Sequence, residues 1–325
     1  MRRGYQLQGL LHCHALKRII NRTAAISRSD VLVFVTLRNE RARLPWFLRH
    51  YRDIGVGHFL IVDNGSDDGS TEYLRDQPDV SLWSTRASYK SANFGMHWMN
   101  HLLRRYGCGH WVLVVDPDEL FVYPYCDSRP IGALTDWLDG QDIGSFPAML
   151  LDMYPKGPIG AVPYAEGQNP LEIANWFDSG NYMIRRNPKL HNLWIQGGPR
   201  ARVLFADDPD KAPALNKIPL VRWKHGYVYV SSTHMLLPRR LNHVYDDWGG
   251  EMVSGCLLHT KFLSVLTQKV AEEMQRHEHY AGSTEYAAYD RGLRGDLDLW
   301  TDRSEHYLNW RQLEALGLMS KGNWL

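Results

Sequence analysis

Between residues 31 and 116 the sequence alternates four short apolar runs with polar stretches. The runs VLVFVT (31–36), HFLIVD (58–63), VSLWST (80–85) and HWVLVVD (110–116) have the length and composition of buried strands. Helices are predicted from the sequences NERARLPWFLRHYRDIG (39–55), TEYLRDQ (71–77) and SYKSANFGMHWMNHLLRRYG (88–107). Strands that alternate with helices predict an α/β fold, a Rossmann-like, mostly parallel sheet with helices on both faces.

The second half of the chain has a different texture. Strand-like runs at 143–154 and 219–236 predict a continuation of the same sheet, and the Pro-, Gly-, Asn- and Trp-rich stretch 155–217 between them predicts a binding surface or lid. Beyond residue 260, Phe262, Leu266, Val270 and Met274 recur at helix spacing, and Ser304 is predicted to cap a final helix. We therefore divide the chain into a basic extension (1–29), an α/β domain (30–265, with halves 30–125 and 126–265) and C-terminal helices (266–325).

Composition restricts the location and the partners. The 37 Lys and Arg nearly balance the 36 Asp and Glu, so no overall field favours nucleic acid or an anionic membrane. The four cysteines lack CxxC spacing, which argues against a zinc module or a disulfide scaffold and favours the reducing cytoplasm. No apolar run is long enough to span a bilayer, so we expect a soluble protein. The first 29 residues hold six Lys or Arg and no acid, which suits a docked or poorly ordered extension, or a helix lying peripherally on the inner face of the membrane.

Polar clusters follow three of the predicted strands, at 36–40 (TLRNE), 63–70 (DNGSDDGS) and 116–119 (DPDE). In open α/β sheets ligands bind beyond the carboxyl ends of the strands, so the three clusters are expected to converge on one edge. Carboxylates at such an end, those of Asp116 and Asp118, can hold Mg²⁺ or Mn²⁺ together with phosphate oxygens. The alternative is a solvated acidic turn with Pro117 at its corner.

Each of the other clusters has a functional and a purely structural interpretation. Asp63 could accept a hydrogen bond from a nucleotide base or ribose, or could simply belong to a turn. The amides near Asn39 could bind an anion or a base edge, or Asn39 could be a helix N-cap. Arg200 and Lys90 could contact phosphate, or could form ordinary surface ion pairs.

In their order and spacing, VTLRNE, IVDNGSDDGS and VVDPDELF resemble the nucleotide-sugar half of family 2 glycosyltransferases of the GT-A fold, over about residues 30–125. The later segments LLDMYP, GGPRAR, PLVRW and LLHTKF resemble a bacterial subgroup of that family. The resemblance implies a metal-dependent, inverting glycosyltransferase with a UDP- or GDP-linked donor and a saccharide acceptor. It also implies a role in bacterial surface polysaccharide synthesis.

The resemblance further implies roles for individual residues. Asp63 would contact the base, and Asp116 and Asp118 would form the metal-binding DxD motif. His259 would be a further ligand of Mn²⁺ or Mg²⁺, with His234 less favoured; the alternative for either histidine is a partly buried structural residue. The residues expected to bind the donor are Thr36, Arg38, Asn39, Glu40, Asp63, Lys90, Asp116 and Arg200.

An inverting transferase also needs a base that takes the acceptor's proton. The Glu-Asp pair that often supplies it in the family does not occur in this sequence. The candidates are Asp178, Asp246, Asp247 and Glu251, and we favour Glu251 and Asp247 because they closely precede His259. Two other functions remain open: a non-catalytic module that binds nucleotide sugars, and a sugar nucleotidyltransferase, although TLRNERAR lacks the glycines of a triphosphate loop.

Overall fold

A computed structural model describes residues 1–248, 250–276, 278 and 280–325 of the chain. The strands are β1 (Lys17–Ile20), β2 (Leu32–Leu37), β3 (His58–Asp63), β4 (Val80–Ser84), β5 (Trp111–Val114), β6 (Glu119–Val122), β7 (Ser145–Asp152), β8 (Trp176–Asp178), β9 (Tyr182–Arg186), β10 (Leu193–Gly197), β11 (Asn216–Arg222), β12 (Val228–Ser231), β13 (Met235–Leu237), β14 (Gly255–His259) and β15 (Ser304–His306). The α-helices are α1 (Arg2–His12), α2 (Leu44–Asp53), α3 (Ser70–Arg75), α4 (Met96–Leu102), α5 (Ile131–Gly140), α6 (Val265–Arg276), α7 (Tyr280–Leu293) and α8 (Trp310–Ala315).

Nine strands form one mixed sheet in the order β1-β4-β3-β2-β5-β11-β7-β14-β6. Six of them, β2, β3, β4, β5, β7 and β14, run in the same direction, whereas β1, β6 and β11 run against it. The predicted α/β class and the mostly parallel sheet are therefore confirmed. In the second half, β7, β11 and β14 continue this sheet. Of the predicted run 219–236, only the beginning belongs to it, as part of β11, because β12 and β13 pair with each other in a separate two-stranded sheet.

Helices cover both faces of this sheet, which explains the unbroken apolar runs in its central strands. Val33 of β2 belongs to the core on one face together with Phe47 of α2. The next residue, Phe34, belongs to the core on the opposite face together with Trp98 of α4. Both faces of β2 are thus buried, and the only polar positions available to a ligand are those at the strand ends.

The long helix predicted at 88–107 is shorter than expected. Asn93, Phe94 and Gly95 have positive φ angles of 52°, 54° and 77°, so the backbone is in the left-handed region just before the helix. α4 consequently begins at Met96 and continues into a π-helical turn, Leu103–Gly107. The segment before α4 is a turn that lies close to the carboxyl end of β2. A Cβ atom added at Gly95 would lie only 3.1 Å from Thr36 Oγ1.

The C-terminal region contains the predicted helix α6, with Leu266 and Val270 buried beside Phe262. The prediction for Ser304 is wrong. Ser304 is the first residue of strand β15, which pairs with β8, and it lies directly opposite Asp178 in that pairing. The final helix, α8, is capped instead by Asn309, whose side chain accepts hydrogen bonds from the amides of Arg311 and Gln312.

The basic N-terminal extension is docked on the α/β domain. α1 packs against α4, and β1 joins the edge of the sheet beside β4. Within the described residues, no helix combines the length and the apolar character needed to cross a membrane.

Candidate functional site

A polar cavity of about 240 Å³ lies at the carboxyl ends of β2, β3 and β5. Its walls come from the two loops that follow β2 and β5, from the residue after β3, from the segment at the end of β14, and from α6 and α7. The lining residues are Thr36, Leu37, Arg38, Glu40, Arg43, Asn64, Tyr89, Asp116, Pro117, Asp118, His259, Lys261, Leu266, Lys269, Glu272, Glu273, Arg276, Glu285 and Tyr286. Each of the three predicted polar clusters, 36–40, 63–70 and 116–119, therefore contributes at least one residue to this cavity, although 63–70 contributes only Asn64.

Asp118 is the most constrained carboxylate of the cavity. Its Oδ2 lies 3.5 Å from His259 Nε2, and its backbone carbonyl accepts a hydrogen bond of 2.7 Å from the amide of Thr260. Burial alone would raise the pKa of Asp118, but the nearby His259, Arg43 and Lys261 hold it well below its usual value. Asp118 is therefore an anion at neutral pH that is fixed against the segment following β14.

His259 is held from behind by a buried carboxylate. Its Nδ1 lies 2.6 Å from Asp152 Oδ1, at the end of the neighbouring strand β7, and Asp152 also accepts a hydrogen bond of 2.7 Å from Arg200 Nε. Burial lowers the pKa of His259, but Asp118 and Asp152 outweigh burial and raise it. Because Asp152 occupies Nδ1, Nε2 is the ring nitrogen that faces Asp118 and the cavity.

The third carboxylate of the DPDE motif has a different role. Glu119 is 1% exposed, and its Oε1 lies 2.8 Å from the buried ammonium of Lys217 on β11. Glu119 Oε2 accepts the backbone amide of Asp116, and Lys217 Nζ lies 3.6 Å from Asp116 Oδ2. Burial raises the pKa of Glu119, while the Lys217 ammonium opposes that shift. Glu119 thus braces the loop that carries Asp116, and a lysine within the buried strand NKIPLVR was the sequence signal for its partner.

The donor atoms around the cavity fit a hard divalent cation. Among the described residues, no three His, Cys, Asp or Glu side chains form an assembled metal site. Asp116, Asp118 and His259 nevertheless line one cavity and offer the carboxylate and imidazole donors that suit Mn²⁺, with carboxylates alone sufficing for Mg²⁺. The contact of His259 with Asp152 is the kind of outer contact that orients metal-binding histidines.

The loop after β2 is the second wall of the cavity. The Arg38 guanidinium donates hydrogen bonds to the carbonyls of Asn64 and Gly65, which ties this loop to the turn after β3. Thr36 lines the cavity, and its buried hydroxyl has no hydrogen-bond partner among the described residues. Glu40 is paired with Arg43 Nη1 at 3.2 Å and with Lys269. Arg38, Thr36 and Glu40, all predicted donor-binding residues, thus face the same space.

Asp63 does not line the cavity. It is 1% exposed and accepts hydrogen bonds from the amide and hydroxyl of Ser66, at 2.9 and 2.7 Å, and from the hydroxyl of Thr71. The next residue, Asn64, is the member of this turn that lines the cavity. The contact between Asp63 and a base stays a prediction, and the observed role of Asp63 is to hold the turn.

Helix α6 closes the cavity through polar and charged contacts with the loop after β2 and with Asn64 after β3. Glu272 accepts hydrogen bonds from Arg38 Nε at 2.5 Å and from the Asn39 side chain at 3.0 Å. Lys269 pairs with Glu40, and Arg276 Nη2 lies 3.4 Å from the Asn64 side-chain oxygen. Sequence reasoning missed these residues because a charged helix face at 269, 272 and 276 is also what solvent exposure produces.

The stretch predicted to form a binding surface or lid, 155–217, supplies none of the described lining residues of this cavity, and α6 and α7 form that wall instead. The second half of the α/β domain, 126–265, which we expect to bind the acceptor, contributes only His259 and Lys261 to the lining among its described residues. Arg200, in that stretch, lies buried behind the cavity and binds Asp152 and, at 3.1 Å, Glu285. Lys90 contacts Glu278 through its backbone amide and does not line the cavity.

The candidate bases also lie outside this lining. Asp247 pairs with Arg186 and His243, each at 3.2 Å, and Glu251 accepts a hydrogen bond from the Ser320 hydroxyl. Asp178 is held by Arg202. Asp246, the fourth candidate base, accepts a hydrogen bond from the amide of Trp248. His234, the less favoured metal ligand, contacts the carbonyl of Asn216 and also lies outside the lining.

A scan against models of known protein families finds no match for this chain. No curated protein sequence is significantly similar to it either. Any statement about its function therefore depends on the geometry of the cavity and on the sequence motifs that form it.

Proposed function

We propose that this chain is a metal-dependent glycosyltransferase of the GT-A type, which transfers a sugar from a nucleoside diphosphate to a saccharide acceptor with inversion. The observation that carries the proposal is the convergence of Asp116, Asp118 and His259 on one polar cavity at the carboxyl edge of an α/β sheet. Such an edge is where open α/β folds bind nucleotides.

The cavity has the charge pattern that a diphosphate leaving group requires. A divalent cation held by Asp116 and Asp118 would supply positive charge to the departing diphosphate. Lys261 lines the cavity beside that site and is kept protonated there, because Tyr289, Glu285 and Asp118 outweigh burial and raise its pKa. These groups are fixed before a substrate arrives, and preorganised charge of this kind lowers the barrier to charge separation.

The residues around the carboxylates have supporting roles in this proposal. Asp152 fixes the tautomer and orientation of His259, and Lys217 with Glu119 fixes the loop of Asp116. On the other wall, the uncharged residues Thr36 and Asn64 belong to the lining, and a ribose or a base would lie beside them. The Asn64 side-chain amide is itself bound to the carbonyls of Thr85 and Ala87. The donor would thus lie with its diphosphate toward Asp118 and its nucleoside toward the loop after β2.

Calorimetric titration of UDP and of GDP, each with and without Mn²⁺, tests the proposal on the wild-type chain and on Asp118→Asn. We expect Mn²⁺-dependent binding of one nucleotide and its loss in the variant, with unchanged thermal unfolding. The proposal would be contradicted by nucleotide affinity that is the same with and without Mn²⁺ and in Asp118→Asn, or by no binding of either nucleotide. Metal-dependent binding without sugar transfer to any acceptor or to water would favour the non-catalytic module.

A further inference from the structure

The near-neutral net charge of the chain conceals a strong segregation of charge. Segments 1–29, 80–115 and 211–245 together hold 16 Lys and Arg and no Asp or Glu. The rest of the chain holds 21 Lys and Arg and 36 Asp and Glu. An acid that pairs with a cation of these segments must therefore come from elsewhere in the chain, as Asp208, Glu119 and Asp139 do for Lys211, Lys217 and Arg222. We refer to the three segments together as the acid-free layer.

The fold brings the acid-free layer together on one face of the central sheet. Leu16 from the first segment, Trp98 from the second and Trp223 from the third pack into a single apolar cluster. α1 contacts both α4 and β12, and Gln6 of α1 lies close to Gly226 in the turn before β12. Segments that are distant in sequence thus form one continuous cationic region.

Twelve cations of this layer are exposed and form no ion pair with a carboxylate among the described residues. They are Arg2, Arg3, Lys17, Arg18, Arg28, Arg86, Lys90, Arg104, Arg105, Lys224, Arg239 and Arg240. Unpaired surface cations of one sign produce a field that extends about 8 Å from the surface at physiological ionic strength. The layer therefore attracts an extended anionic partner.

Helix α1 packs on the rest of the protein through its small residue and exposes its apolar side chains to solvent, the reverse of a helix that packs on a core. Its one buried residue is Gly9, where a Cβ would lie 3.3 Å from the carbonyl of His97 on α4. Its leucines point outward: Leu7 is 55% exposed, Leu10 41% and Leu11 58%. A soluble helix normally buries its apolar face, so three adjacent exposed leucines indicate a surface that acquires an apolar partner.

We propose that the acid-free layer, with α1 at its surface, binds the surface of an anionic lipid bilayer. The leucines of α1 enter the boundary between headgroups and acyl chains, while the arginines and lysines around them contact lipid phosphates, the arrangement typical of interfacial helices. The exposed leucines favour a bilayer over nucleic acid, because a nucleic-acid surface has no apolar layer to receive them. None of the exposed leucines and exposed cations named above lines the cavity, and the proposal does not depend on the proposed transferase activity.

Cosedimentation of the full chain with phosphatidylcholine vesicles, with and without phosphatidylglycerol, tests this proposal. We expect binding only to the anionic vesicles, and weaker binding as salt is raised. Leu7→Ser/Leu11→Ser should reduce binding at least about tenfold through lost apolar burial. Arg104→Gln/Arg105→Gln should reduce it about 25-fold, since each cation near an anionic surface contributes roughly fivefold.

Two matched variants control for changes in hydrophobicity and net charge. Leu308 is 67% exposed outside the layer, so Leu308→Ser should bind like the wild type. Arg185→Gln/Arg186→Gln removes two exposed charges from β9 and should also leave vesicle binding unchanged. Equal losses in test and control variants, equal binding to both kinds of vesicle, or binding to a DNA duplex but to neither kind of vesicle would overturn the proposal.

Discussion

The carboxylate of Asp152 lies 2.6 Å from Nδ1 of His259, and this contact directs the other ring nitrogen toward Asp118. Asp152 closes β7 and His259 closes β14, and these strands are parallel neighbours that pair the two residues directly. The sheet itself therefore sets the orientation of the imidazole. A rotating side chain would lose entropy when it bound a ligand, and His259 has already lost that freedom.

Replacing Asp152 with Asn tests this positioning role. The amide binds the imidazole less strongly than a carboxylate does, so we expect Mn²⁺-dependent nucleotide affinity to fall about 10- to 100-fold. Calorimetric Mn²⁺ titration in the presence of nucleotide measures the effect. Asp178→Asn is the matched control, because Asp178 is also a buried, arginine-bound carboxylate but does not line the cavity. An equal loss in both variants would mean that Asp152 has only a structural role.

Replacing Glu272 with Gln should increase nucleotide affinity. The Glu272 carboxylate accepts hydrogen bonds from the side chains of Arg38 and Asn39, both of which we expect to bind the donor. A partly exposed ion pair contributes about 0.2 to 1 kcal/mol, so its loss should raise affinity for UDP or GDP by about two- to fivefold. Glu166→Gln, which removes an exposed pair with Arg41, serves as the control. A weaker affinity in Glu272→Gln would show that the carboxylate contacts the ligand instead.

Glu251→Gln and Asp247→Asn examine the two bases favoured on sequence grounds. Neither side chain lines the cavity, and both are engaged by residues outside it, Ser320 in one case and Arg186 with His243 in the other. From these positions we expect each variant to retain sugar transfer within about twofold of the wild type, since surface substitutions remote from a site have small effects. Initial rates of diphosphate release measure this. A loss of 10²-fold or more in either variant would identify it as the base.

Glu285 should make the stability of the protein depend on pH in the acid range. Burial alone would raise its pKa, but Lys261 and Arg200 lower it to about 2 from the ordinary 4.5. A depressed pKa in the folded state adds stability that is complete above about pH 4.5 and is lost as the pH falls toward 2. Because the side chain is 28% exposed, we expect Glu285→Gln to cost about 1–3 kcal/mol at pH 7.

Urea unfolding of the wild type and of Glu285→Gln at several pH values measures that difference. The gap between the two proteins should be constant from pH 7 to about pH 5 and should narrow as the pH approaches 2. A gap that stayed constant down to pH 2.5, or widened on acidification, would contradict the role assigned to the ion pairs of Glu285 with Arg200 and Lys261.

The sequence by itself determined the α/β class and the two sides of the cavity that follow strands. The run from Leu32 to Val35 is apolar at consecutive positions because both faces of β2 are covered, and a strand buried in this way must place its polar residues at its end. For this reason Thr36, Arg38, Asp116 and Asp118 could be assigned to one edge of the sheet without coordinates. Such local patterns depend on neighbours in the chain, which the sequence displays directly.

Contacts between residues far apart in the chain were decided only by the tertiary structure. Asp152 meets His259 over 107 residues, and Glu272 meets Arg38 over 234. A charged residue in a sequence has the same appearance whether it faces solvent or a distant partner, so α6 gave no sign that it would close the cavity. The same holds for the acid-free layer: its charge was visible in three separate segments, but only packing around Trp98 and Trp223 made them one surface.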